Sequence, residues 1–113
     1  QEAQEMVQSV FTLAEAKVTF SGAYPGWKPD TSSAIMKTVR DTYQQIFDAV
    51  PDVMVIHAGL ECGLFKTAYP HWDTVSIGPT IKFPHSPDEK VNIEAVDKYW
   101  QLLVAVLANI PTK

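Results

Sequence analysis

The chain is short of several features, and each shortage excludes something. It has one cysteine, Cys62, which rules out an internal disulfide and suits a reducing compartment. It has no basic block: Lys and Arg number 9 against 13 Asp and Glu, a net charge of -4. That balance argues against a nucleic-acid or anionic-membrane partner. No apolar run approaches the roughly 20 residues of a membrane span, and no secretory leader is expected. A soluble, cytoplasmic protein is expected. There is no internal repeat and no low-complexity tract. The chain also lacks an initiating Met, and "QEAQEMVQSVFTLAEA" opens already in helical rhythm. Its stripe is Ala3, Met6, Val7, Val10 and Ala14, so a piece of a longer protein is expected.

What is present suits a globular core. The apolar content is 46% over 113 residues, which predicts one domain burying roughly two-thirds of its unfolded surface. "KVTFSG" reads as a short strand. "GAYPGWKPD" carries two glycines and two prolines in nine residues, a change of direction and the best boundary in the chain. Asp30, Thr31 or Ser32 can cap a helix with Ile35, Val39, Tyr43, Ile46 and Val50 on one side, stopping before Pro51. "DVMVIH" has the continuous apolar pattern of a strand covered on both faces. "AGLECGLFKTA" reads as a turn opening a short helix, and "DTVSIGP" as a second strand. Asn92 can cap a last helix with Ile93, Val96, Trp100, Leu103, Leu107 and Ile110 on one face. Leu102 and Val106 make its opposite side apolar too, so cover on more than one side is expected before it ends at Pro111. Strand, helix, strand, helix predicts an α/β layer, a sheet with flanking helices.

Two constellations could carry chemistry. In "VIHAGLECG" a buried strand runs into Gly59 just before a helix, a place where ligands of α/β sheets sit. Backbone N–H groups at a helix start attract anions, and glycine permits close approach. A tight turn that needs glycine for steric reasons explains the string equally. Cys62 near His57 invites a nucleophile reading, but G-L-E-C-G does not match G-x-S-x-G, and cysteine is often simply buried. His57 and Glu61 could share a metal only if both lay on one helix. A structural hydrogen bond fits a strand-end histidine better.

The second constellation is "IKFPHSPDEKV". Pro84 and Pro87 bracket His85 and restrict the backbone on both sides. A neutral imidazole presented in this way suits zinc. The same residues also read as a plain turn, with Glu89 reaching back to a backbone N–H. His71, in "YPHWD", reads as a surface or subunit-contact residue.

Taken together, "VIHAGLECGLF", "SIGPTIKFPHSPDEKV" and "FSGAYPGWKPD" resemble the aminoacyl-histidine dipeptidases (Xaa-His dipeptidase, peptidase D), relatives of carboxypeptidase G and the aminoacylases. The likeness covers nearly the whole chain. It implies a two-zinc catalytic α/β domain interrupted by an inserted lid, with Co2+ or Mn2+ as alternative metals. Residues 1–22 would be the end of the lid, and 23–113 the C-terminal half of the catalytic domain. By the same resemblance His85 stands at a zinc-ligand position, and Gly59 at a position that helps hold substrate. The implied reaction is hydrolysis of a dipeptide ending in histidine, such as carnosine, by a metal-activated water. The general base, bridging aspartate and other ligands fall in the N-terminal half, so no catalytic residue is assigned here. An inactive fragment is expected, partnered by that half and, in the complete protein, by a second subunit. The alternative is a stand-alone α/β binding or dimerisation module without chemistry.

Overall fold

A computed structural model describes residues 2–56 and 58–110. Among these the elements run α1 (Glu2–Leu13), α2 (Ala34–Phe47), α3 (Glu61–Ala68), β1 (Ile81–Lys82), β2 (Lys90–Val91) and α4 (Ile93–Ala108). The four helices follow the apolar rhythms of the sequence.

Helix α2 begins one residue later than the predicted caps. Ser33 is extended, with φ -65° and ψ 152°, and its Oγ accepts the Met36 N–H at 3.1 Å. Asp30 is spent on a turn instead: its carboxylate accepts the Ser32 N–H at 2.9 Å and the Ser32 hydroxyl at 2.6 Å. That turn feeds Ser33 into the capping position. The helix stops at Phe47, short of Val50, because Asp48 turns left-handed at φ 49° and its N–H closes on the Gln44 carbonyl. Asparagine and aspartate tolerate that region better than most residues.

Helix α4 starts as predicted, with the Asn92 side chain accepting the Ala95 N–H at 2.9 Å. It packs on α2 through Leu102 and Val106, which bury against Val39, with Ile35, Tyr43, Phe47, Val75 and Ile77 around them. The Asn109 amide donates to the Thr42 hydroxyl at 3.2 Å. A hydroxyl as enclosed as that of Thr42, 2% exposed, needs such a partner. The opposite face of α4 is bare: Trp100 is 62% exposed, and Ile93, Val96 and Leu107 stand in the open with it. The expected cover on both sides is therefore reduced to one.

The expected strands at 52–57 and 73–79 do not pair. Residues 52–56 form no ladder, and Met54 and Val55 are 80% and 76% exposed. The reason is physical: an extended segment becomes a strand only when a neighbour takes its N–H and C=O groups, and no described segment pairs with this one. Residues 73–79 keep the alternation without the ladder. Val75 and Ile77 turn inward to the helix pair while Ser76 and Gly78 face out. "KVTFSG" is likewise irregular, with only Val18 half-buried. The sheet that does form is β1 against β2, antiparallel, with Ile81 opposite Val91 and Lys82 opposite Lys90.

The molecule is consequently extended. Its Cα radius of gyration is 18.9 Å and its extents are 59 × 39 × 21 Å, where a compact chain of this length has about 13 Å. Helix α1 buries none of its residues. The core is one helix pair with a loop across it, and the expected burial of two-thirds of the surface is not reached. No described helix is long and apolar enough to cross a membrane.

Candidate functional site

His85 sits in the turn joining β1 to β2, and that turn is built by its own side chains. Phe83 and His85 are both left-handed, at φ 54° and 64°. Ser86 holds the first of them: its hydroxyl donates to the Phe83 carbonyl at 2.9 Å and accepts the Asp88 N–H at 3.2 Å. The Ser86 carbonyl accepts the Glu89 N–H at 3.0 Å, and Glu89 Oε2 accepts the His85 N–H at 2.9 Å. The backbone N–H that the sequence assigned to Glu89 is thus that of His85. Strained backbone of this kind persists only where surroundings over-determine it. His85 itself is exposed, and its imidazole is free to meet a ligand.

Gly59 lines a cleft of about 840 Å³ together with Tyr24, Arg40, Val55, Ile77 and Lys98, among others. A Cβ at residue 59 would fall 2.5 Å from the Tyr24 ring. The close approach that glycine permits is made by this aromatic ring. Four residues on, Gly63 is buried, and a Cβ there would meet the Pro25 carbonyl oxygen at 2.6 Å. "GAYPGW", expected as a boundary, has a packing role. It packs against the start of α3, and both glycines of "GLECG" are needed for that contact. The sequence offered a signal in the repeated pairing of glycine with aromatic residues, but nothing in it said that the two strings meet.

Helix α3 starts at Glu61 behind an extended Leu60, and no side chain caps it. Glu61 is its first residue, so the helix that a metal pair at 57 and 61 would require is not formed. His57 lies outside the described residues. Cys62 is half-buried, and desolvation pushes its thiol pKa up, aided by the neighbouring charge of Glu61. A raised pKa removes thiolate and is the opposite of what a nucleophile needs. Tyr24 is shifted upward as well, first by desolvation and then by the charges of Glu61 and Cys62.

His71 is exposed, as expected of a surface residue. It is flanked by an aromatic stack in which Tyr69 and Trp72 lie 4.2 Å apart at 11°. His85 is not among the residues that line the Gly59 cleft, so the structure does not bring the two proposed site residues into one cavity. Among the described residues no three His, Cys, Asp or Glu side chains gather as a metal site would require. Zinc takes about four donors. The donors among the described residues do not amount to a centre.

Comparison with known proteins finds this architecture within part of a solved peptidase structure. The fold matches part of the crystal structure of aminoacylhistidine dipeptidase from Vibrio alginolyticus, with a TM-score of 0.77 and 60% identity over 99% of this chain. The sequence is 57% identical over 108 residues, 96% of the chain, to the cytosol non-specific dipeptidase of Escherichia coli strain K12. The resemblance drawn from the three motifs thus extends along nearly the whole chain. It is confined to one part of those relatives: the chain spans 22% of the one and 23% of the other. No family model matches.

Proposed function

We propose that this chain acts as the C-terminal segment of a cytosolic, metal-dependent dipeptidase that cleaves dipeptides ending in histidine. On this reading residues 1–22 close an inserted lid, and 23–113 form the second half of the catalytic domain. His85 supplies one zinc ligand, and the Gly59 backbone N–H faces the carboxylate of the substrate. The remaining donors, the general base and the strands that pair with 52–57 and 73–79 come from the N-terminal half. Bound zinc would polarise the scissile carbonyl and lower the pKa of a water. The part this chain plays is narrower: to hold one neutral imidazole at a set angle and to offer a backbone donor at a glycine turn.

The observation that carries the reading is His85 itself, an exposed imidazole on a left-handed backbone held from within its own turn. Its agreement with the identity to two dipeptidases gives the fold a use for that geometry. The unpaired apolar segment at Met54 and Val55 and the bare face of α4 around Trp100 favour cover by further polypeptide. In the complete enzyme that face is also where a second subunit could pack.

The test is His85→Ala in an enzyme that contains this segment at full relative length. Bound zinc, measured by elemental analysis, should fall by about one equivalent and carnosine hydrolysis should fall with it. Unchanged zinc content would overturn the assignment. The chain alone should not hydrolyse carnosine with zinc added, and turnover there would show that it carries a complete centre.

A further inference from the structure

Glu89 makes a bond that its position in the sequence does not by itself require. Ser86-x-x-Glu89 has the spacing of a helix capping box, in which the glutamate would accept the N–H of Ser86. Here no helix follows; the chain goes directly into β2 at Lys90. The carboxylate is displaced by one residue and accepts the His85 N–H at 2.9 Å. Among the described residues Glu89 has no ion-pair partner, and its neighbour Lys90 lies over the Phe83 ring at 5.4 Å. Ser86 and Lys90 thus hold the left-handed Phe83, which leaves Glu89 as the side chain that holds the left-handed His85.

We infer that Glu89 is a positioning residue for His85. By accepting the backbone N–H, its carboxylate fixes φ at 64° and so fixes the direction in which the imidazole leaves the turn. A residue with a Cβ does not rest in the left-handed region unless something holds it. An ionised acceptor holds a donor more firmly than a neutral one. The assignment deepens the reading of His85 as a cation donor and rests on it: a ligand side chain is useful only when aimed, and its orienting partners set how well it binds.

The experiment compares the unmodified chain with Glu89→Gln and Glu89→Ala by NMR. Loss of a bond to a charged acceptor should speed exchange of the His85 amide about tenfold in Glu89→Ala. The His85 HN–Hα coupling, which reports φ, should move away from its left-handed value. Glu89→Gln, which keeps an acceptor oxygen, should restore most of both. The Leu102 and Val106 methyl resonances should stay in place in all three, showing that the helix pair is intact. Equal His85 exchange and equal couplings in the three proteins would overturn the inference. Failure of the cation reading is seen separately, as unchanged zinc content in His85→Ala, and leaves these NMR readouts standing.

Discussion

The Asp73 carboxylate accepts the backbone N–H of Ile35 at 2.9 Å, across a sequence separation of 38 residues. Ile35 lies in the first turn of α2, where N–H groups have no partner within the helix. Ser33 satisfies the N–H of Met36 and Asp73 that of Ile35. The second bond also anchors the loop that carries Val75 and Ile77 onto the α2–α4 pair. Asp73→Ala should therefore cost about 1 kcal/mol, read as a lower urea midpoint. Asp73→Asn, which keeps an oxygen acceptor but loses the charge at the helix start, should fall between. A midpoint unchanged in Asp73→Ala would show that water replaces the bond without loss.

Gly63→Ala should be the more damaging of two glycine substitutions. Its new methyl would meet a backbone carbonyl, that of Pro25, at 2.6 Å, and neither backbone can yield without moving α3 or the 24–27 segment. A cost of about 1–3 kcal/mol is expected. Gly59→Ala would meet only the Tyr24 side chain, which can rotate away. Its effect should be smaller in stability and visible in Tyr24 NMR signals. Equal losses at the two sites would show that the Tyr24 ring is as firmly held as the Pro25 backbone.

Cys62 should alkylate slowly. Burial and the nearby Glu61 raise its pKa, so less thiolate is present at pH 8 than for an unperturbed thiol of about 8.5. The sign for stability follows: the folded state resists ionisation, so the thiol's contribution is whole below the unfolded pKa. It is lost as pH rises through the folded one. Iodoacetamide labelling followed by mass spectrometry should run slower in buffer than in urea. Matching rates in the two solutions would mean that the thiol is open and unperturbed.

Asp30 should make the approach to α2 acid-sensitive. The hydroxyl and N–H of Ser32 both donate to its carboxylate and hold its pKa below the ordinary value. A depressed folded pKa stabilises above the unfolded value, about 3.9, and that stabilisation disappears as pH falls through the folded one. Between pH 5 and lower pH the Ser32 amide resonance should move with the Asp30 titration, and Asp30→Asn should abolish that movement. A Ser32 amide indifferent to pH in the unmodified chain would remove the bond from this account.

Much of this architecture was legible before any coordinates. Apolar spacing gave α1, α2 and α4, and "GLECGLFKTA" gave α3. Asn92 marked the cap of α4, and the proline-bracketed string marked the His85 turn, including the reach of Glu89. These are local matters, decided by neighbours three or four residues away. The strands at 52–57 and 73–79 were read from the same kind of pattern and did not form. A strand is not a local object, and its hydrogen bonds belong to whatever lies beside it.

The sequence alone determined that four helices form, that Asn92 opens α4, and that His85 lies in a tight turn. Capping, periodicity and proline restriction act within a few residues, so they can be read in one dimension. Tertiary structure decided the rest. It showed that the buried side of α4 is Leu102 and Val106 while Trp100 stays bare, that Tyr24 fills the approach to Gly59, and that Asp73 caps a distant helix. Those choices depend on which surfaces meet in space, and no spacing of letters specifies a meeting between residues 35 apart.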